Sequence, residues 1–391
     1  MNHTLLQEAK NIESELIAWR HSLHQIPELG TKLPKTTEFI KEKLTSLGIS
    51  YTEYEDCSCI TAILGKGDSC FLLRSDMDGL PMLEESCEPF ASKNGCMHAC
   101  GHDLHATILL GAAKLLKEHE PELNGTVKLL FQSGEETFEG AKIRVEKGVL
   151  ENPHVNAAFA MHVASILPAG SIIYGPYPMA AVYGFRITLT GKGTHGSTPQ
   201  LGIDPINTGV HIYLALQELI AREVSPNEEA VLTIGRFDAG KVSNVIPERA
   251  ILEGTLRTFK PEIREMLVNR IRETVESVAK TYRTDVSFEV LSDVPPVACD
   301  EALNLEMLDS IRELDSSIHL LPLYHVMGSE DFAFISEKVP STYLGLGAAV
   351  DDRSQWLGQH NPKVRFTDEC LVTGAAIYAK AAMDWLENHN P

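Results

Sequence analysis

The stretch Cys96-Met97-His98-Ala99-Cys100-Gly101-His102-Asp103-Leu104-His105 packs two thiols, three imidazoles and a carboxylate into a decapeptide. These are the side chains that bind borderline-soft divalent metals. The decapeptide lies between an apolar run, Cys70 to Leu73 followed by Arg74-Ser75-Asp76, and a helical pattern that begins near His105. A loop held between a strand and a helix is where sites commonly sit. Three readings are open at this point. One is a metal-dependent enzyme. The second is a structural zinc knot made from Cys96, Cys100, His102 and His105. The third is a His/Cys-rich turn that binds nothing.

Working outward, Leu5, Ile12, Leu16, Trp19 and Leu23 fall at helical spacing and predict a helix over 4–25, stopped before Pro27. A second amphipathic helix is expected over 36–47, closed by Gly48. Short β-rich runs at 60–64, 71–73, 126–131 and 157–160 alternate with helices, one of which carries Ile108, Leu109, Ala112, Leu115 and Leu116. The pattern predicts an α/β catalytic domain, with a mixed central sheet flanked by helices.

The texture changes near Val182. Alternation over 185–190, a helix over 205–222, strands over 230–237 and 249–259, a striped helix over 261–282 and a last strand over 286–290 give the order βαββαβ of a small ferredoxin-like α+β domain. Asp293-Val294-Pro295-Pro296 reads as the linker out of it, after which the α/β texture resumes with a helix at 303–313, a strand at 341–346 and a helix at 369–388. The expected organisation is a catalytic metal-binding domain over 1–182 and 296–391, with the small domain inserted at 183–295.

At 391 residues the chain exceeds the size at which a single core stops growing. Its formal charge of −20 repels nucleic acid and anionic membrane surfaces, so neither is an expected partner, and an anionic substrate must be held by local cations. The opening residues lack a basic, then apolar, leader pattern. The cysteines form no CxxC pair, which suits reduced thiols and a cytoplasmic location. Cys57 and Cys59 are expected at the surface or in a strand.

Four groups of candidate ligands or proton carriers each follow a predicted strand: Asp76 with Asp78, the decapeptide, Glu135 with Glu136, and His162 within Met161-His162-Val163. Ligands of open α/β sheets bind at the carboxyl ends of the strands, where all four can converge. Adjacent glutamates suit a metal hydrolase, one holding an ion while its neighbour serves as general base. A zinc knot leaves Glu135, Glu136, His162 and His360 without a role, and Cys100 as a nucleophile explains the acids no better.

In this order the residues resemble the aminoacylase/carboxypeptidase family of dinuclear metallohydrolases. The resemblance is strongest to its amidohydrolase branch of hippurate hydrolases, N-acyl-L-amino acid deacylases and indole-acetyl-amino-acid hydrolases. The markers span nearly the whole chain: Arg20 to His24 with Pro27-Glu28, Arg74 to Pro81, Met97 to Asp103, Phe131-Gln132 with Glu135-Glu136, and Met161-His162-Val163. They continue with Gly191 to His195, Asn244 to Pro247, Gly254 to Arg257 and Gly328 to Phe332. The chain departs from the family pattern at Ser133-Gly134, where Pro-Ala is frequent, at Asn361, where Ser is common, and at Gly196-Ser197, where Ala is usual.

The resemblance implies two divalent metal ions per subunit, Zn²⁺ or Mn²⁺ with Co²⁺ or Ni²⁺ as alternatives. It makes Cys100 their shared ligand, with Glu136 and His360 completing one site and His102 and His162 the other. Glu135 would be the general base and Asp78 an outer carboxylate that orients a ligand. His195 would donate to the oxyanion, and Asn244 and Arg257 would hold the substrate's carboxylate. The small domain would be a lid and the surface of a homodimer. Within the decapeptide, Cys96, His98 and His105 become scaffold, and Asp103 is expected to cap the following helix. The implied function is hydrolysis of the amide bond of an N-acyl-L-amino acid to a carboxylate and a free amino acid. A dipeptidase or carboxypeptidase of the same family is the alternative within this chemistry. A non-catalytic metal-binding protein is the alternative outside it, and would have no need of Glu135.

Overall fold

In the computed structural model, which describes residues 2–322 and 326–389, the apolar run before the decapeptide is a strand whose residues are all buried. That is the mark of a strand covered on both faces. The chain divides into two compact units. The larger runs to Pro178 and resumes at Ala298 and Asp331; the smaller is Met179–Val297 with the short segment ending at Glu330. The smaller unit thus begins a few residues before the expected boundary and also takes in a segment that the sequence reading gave to the catalytic domain.

The larger unit opens with α1 (Asn2–Asn11), α2 (Glu13–His24), α3 (Pro34–Ser46), β1 (Tyr51–Glu53), β2 (Ile60–Gly65) and β3 (Cys70–Asp76). It continues with α4 (His102–Glu118), β4 (Thr126–Gln132), α5 (Gly140–Glu146), β5 (Ala157–Pro168) and β6 (Ser171–Tyr174). The smaller unit holds β7 (Ala181–Thr190), β8 (Thr194–His195), α6 (Pro205–Glu223), β9 (Ala230–Ala239), β10 (Val245–Ile246), β11 (Arg249–Thr258), α7 (Pro261–Thr281) and β12 (Asp285–Val294). The larger then resumes with α8 (Glu301–Leu314), β13 (His319–Pro322), α9 (Ala333–Ser336), β14 (Ser341–Ala349) and α10 (Cys370–Asn388). The single helix expected over 4–25 is two, α1 and α2, separated at Ile12.

Among the described residues the larger unit's sheet is mixed, in the order β1-β2-β4-β3-β5-β14-β6-β13. The central strands β4, β3, β5 and β14 are parallel, and β1, β2 and β6 join antiparallel pairs at the flanks. Register aligns the ends that carry chemistry. Gln132 lies beside Asp76, and Gly345 beside His162. The buried helix α4 carries Leu104, Ile108, Leu109, Leu115 and Leu116 into the core, together with the largely buried α10.

The smaller unit is a four-stranded antiparallel sheet, β12-β7-β11-β9, with α6 and α7. Leu267, Ile271, Val275 and Ala279 recur every fourth residue on α7 and are buried with Ile212, Leu216 and Leu219 of α6 and the inward residues of β7 and β11. Asp204 caps α6 through Oδ1, which accepts from the Ile206 and Asn207 amides, and Pro205 occupies the first turn. Among the described residues no helix is long and apolar enough to cross a membrane.

Candidate metal centre

The decapeptide enters α4 through Gly101, whose φ of +92° favours glycine, and where a Cβ would meet Val163 Cγ2 at 2.4 Å. This close approach sets Cys100 just before the helix and His102 at its first residue. After β4, Ser133 and Gly134 turn the chain. Gly134 has φ +74°, its carbonyl accepts from the Glu139 and Gly140 amides, and the glycine at this departure from the family pattern is therefore what the turn requires. Glu135 and Glu136 follow, and Asp78 grips both: Oδ1 accepts from the Glu135 amide at 3.0 Å and Oδ2 from the Glu136 amide at 3.1 Å.

His162 lies inside β5, not after the short strand expected at 157–160, which extends to Pro168. Its Nδ1 lies 2.7 Å from the Val163 carbonyl, an acceptor, so Nδ1 donates and Nε2 points at Cys100 Sγ, 3.4 Å away. His360 arrives on a loop tied to the decapeptide by its amide, which donates to the Ala99 carbonyl, and it sits at φ +63°. Its Nε2 is 3.3 Å from Cys100 Sγ and 3.3 Å from Glu136 Oε1. His102 Nε2 lies 4.0 Å from both Glu135 Oε2 and Glu136 Oε1, while its Nδ1 faces Asp78 at 3.6 Å and Asp76 at 3.7 Å.

Cys100 thus belongs to two groups of donor atoms, one with His102 and His162 and one with Glu136 and His360, each with its donors within 4.8 Å of one another. Neighbouring ligands on a tetrahedral ion with bonds of about 2.0–2.3 Å lie roughly 3.3–3.7 Å apart, which matches the contacts of Cys100 with His162 and His360. Both nitrogens of His102 are buried and make no hydrogen bond among the described residues. Such orphans are costly unless something binds them. A thiolate, imidazoles and a carboxylate so arranged fit borderline divalent cations.

The electrostatics agree. Burial would raise the Cys100 thiol, but His162 and then His102 outweigh it and bring it to about 6. Against the opposing effect of burial, Cys100 raises His162 to about 9. Hydrogen bonds to Cys100 and Glu136 raise His360 to about 10. Burial opposes a charge on His102 too, yet Asp76 and Asp78 hold it well above the ordinary imidazole range. Metal binding to such a set releases protons, so it weakens as pH falls.

Several expectations need correction. Asp103 makes no capping bond to α4; its Oδ2 accepts from Arg20 Nε at 3.0 Å and His24 Nδ1 at 2.8 Å, and the residue is buried. Cys57 and Cys59 are neither surface nor strand residues but are buried outside the strands, and Cys59 Sγ lies 3.5 Å from Ser133 Oγ. Sequence reasoning grouped Asp76 with Asp78 after the strand, whereas Asp76 is the last residue of β3 and belongs to a buried network of Arg74, Gln132, Asp331 and His105. Nothing in local spacing signals those partners.

The other candidate residues lie in the smaller unit. His195 on β8 pairs with Val245 of β10, and the Gly196 amide donates to the Asn244 carbonyl at 2.8 Å, so the β8/β10 ribbon holds His195 and Asn244 side by side. The Ser197 amide donates to His195 Nδ1, which therefore carries the lone pair and leaves the ring proton on Nε2 of an exposed ring. Ser197, for which the sequence offered no reading, is what fixes that tautomer. Arg257 on β11 donates to Ser329 Oγ at 2.6 Å and the Met327 carbonyl at 3.3 Å, and partial burial lowers its pKa.

A mixed α/β unit that gathers a thiolate, imidazoles and paired carboxylates at its strand ends defines a metal-dependent hydrolase. The chain belongs to peptidase family M20/M25/M40, which matches residues 72–384, and it is an enzyme acting on amide bonds. It is 36% identical to an IAA-amino acid hydrolase of Arabidopsis thaliana (ILR1-like 4), over 95% of this chain and 86% of the relative. It is 33% identical to the N-acetyl-L-cysteine deacetylase of Bacillus subtilis, over 97% and 90%. A crystal structure of a dinuclear metal binding M20 peptidase from Bacillus subtilis superposes with a TM-score of 0.83 at 32% identity, covering 97% of this chain and 99% of that one.

Proposed function

We propose that the chain hydrolyses N-acyl-L-amino acids to a carboxylate and a free amino acid, using two divalent cations, Zn²⁺ or Mn²⁺. Cys100 would be shared between them, with Glu136 and His360 on one and His102 and His162 on the other. When bound, such ions supply Lewis acidity and lower the pKa of water toward neutrality. The observation that carries the reading is Asp78 gripping the amides of both Glu135 and Glu136, which leaves Glu136 facing Cys100 and His360 while Glu135 stays outside that group. Glu135 takes a proton from the attacking water as the C–O bond forms and passes it to nitrogen as the C–N bond breaks. His195 donates from Nε2 to the developing oxyanion. Arg257 and Asn244 hold the substrate's carboxylate, as an acidic chain requires. The names of the relatives, an IAA-amino acid hydrolase and an N-acetyl-L-cysteine deacetylase, favour an N-acyl amino acid over a dipeptide.

The smaller unit acts as an inserted lid and as a homodimer surface in this reading. Its support is the exposed apolar set Val210, Tyr213 and Leu214 on α6 with Val231 and Phe237 on the edge strand β9. The free cysteines fit a cytoplasmic location. The test is turnover of the metal-reconstituted chain on N-acetyl, N-benzoyl and indole-acetyl amino acids beside a dipeptide panel. N-acyl amino acids are expected to be cleaved with the higher kcat/KM; faster dipeptide cleavage would make it a peptidase.

A further inference from the structure

We propose that His105 is a positioning residue of the hydrolytic site: wedged between Asp76 and β5, it holds the Val163 amide and so fixes the angle at which His162 presents Nε2. The inference rests on reading His162 as a metal ligand.

Both ring nitrogens of His105 are in use. The Val163 amide donates to Nε2 at 2.9 Å, and since a backbone N–H only donates, the ring proton is on Nδ1, 2.5 Å from Asp76 Oδ1. Asp76 is itself anchored. Its Oδ2 accepts from Arg74 Nη1 at 2.7 Å; Arg74 Nη2 donates to Asp331 at 2.7 Å and Nε to Gln132 at 2.9 Å, and Gln132 Nε2 donates to both Asp331 oxygens. All four side chains are buried. A carboxylate fixed in this way orients an imidazole as it does behind metal-bound histidines, but here the oriented ring is one step removed from the ligand.

The pairing of β3 with β5 ends at Arg74 and Ala160. Val163 lies beyond the end of that ladder, and the His105 ring takes the hydrogen bond a neighbouring strand would have supplied. At the other polar group of the same residue, the Val163 carbonyl accepts from His162 Nδ1 and from Gln359 Nε2, both at 2.7 Å. Val163 is thus held at its amide by His105 and at its carbonyl by the residue preceding His360. The His105 and His162 rings also meet edge to face, with centroids 4.5 Å apart. Loosening His105 therefore frees both the backbone and the ring surface against which His162 is set.

The experiment uses the full chain carrying His105→Phe or His105→Gln, each checked for folding by circular dichroism. Zinc retention at controlled free Zn²⁺ and the visible spectrum of the Co²⁺-loaded protein are the readouts. His105→Phe is expected to weaken the ion on the His162 side about tenfold or more and to change the Co²⁺ bands. His105→Gln, able to accept from Val163 and donate to Asp76, restores most of both. Wild-type affinity and spectrum in His105→Phe, or no rescue by His105→Gln, overturns the proposal. If His105→Phe does not fold, the ¹⁵N-histidine spectrum of the zinc-loaded wild type decides: His105 protonated on Nδ1 supports the role and protonation on Nε2 overturns it. A folded wild type that binds no metal overturns the ligand assignment instead, whatever its activity.

Discussion

Replacing Asp103 by Asn removes the charge that a buried guanidinium and a buried imidazole share. Arg20 and His24 are 2% and 3% exposed, so neither regains water when its partner is lost. Breaking such a pair from one side costs about 3–5 kcal/mol. The lower end applies here, because Arg20 keeps Asp368 at 2.7 Å and the Phe366 carbonyl. At roughly 1.2 °C per kcal/mol for a chain of this size, the melting temperature should fall by about 4 °C. The loss also depends on pH. His24 donates from both nitrogens, to Asp103 and to Glu84 at 3.0 Å; burial opposes its charge, yet Asp103 raises it from 6.5 to about 9. Folding therefore strengthens proton binding, and the associated stability is fully present below about 6.5 and lost as pH rises through about 9. Urea unfolding of metal-free wild type and Asp103→Asn, compared at pH 6.5 and 9.5, cancels the groups common to both. The difference should be largest at pH 6.5 and shrink at 9.5. A difference below about 1 kcal/mol at pH 6.5, or one that stays constant or grows with pH, would refute the reasoning.

Cys100→Ser should weaken retention of both ions together and Cys96→Ser neither, as counted by elemental analysis after dialysis; loss of metal from Cys96→Ser would restore the zinc-knot reading. Arg257→Gln should raise KM for an N-acyl amino acid about ten- to a hundredfold through loss of a charged contact, with a smaller effect on kcat. His195→Ala should lower kcat on the order of a hundred- to a thousandfold, while metal content stays at the wild-type level. An unchanged kcat would remove His195 from the oxyanion role.

Much of this was legible along the chain because the residues concerned announce themselves locally. Glu135 and Glu136 are adjacent, Cys100 and His102 flank a glycine, and the buried run of β3 reads as a strand from its composition alone. The periodic stripe on α7 likewise needs no tertiary information. What failed to show depends on partners far away in sequence. Asp103 in a first helical turn reads as a cap by default; its true partners are 83 and 79 residues distant. The bond between His105 and Asp76 spans 29 residues, and Arg74 reaches Asp331 across 257. Cys57 and Cys59 look like surface residues among Glu55, Asp56 and Ser58, and only the fold buries them. Short strands such as β6 and β13 gain their hydrogen bonds from neighbours distant in sequence, β13 from β6 and β6 also from β14, and carry no pattern long enough to read.

The central claim is that Glu135 handles the proton while its neighbour and the Cys100 set hold the ions. Turnover of an N-acyl amino acid by metal-reconstituted wild type and Glu135→Gln, with ions counted in the same samples, tests it most directly. The account predicts two ions in both proteins and a loss of kcat on the order of a hundred- to ten-thousandfold in the variant. Near-normal turnover by Glu135→Gln with both ions bound would contradict it.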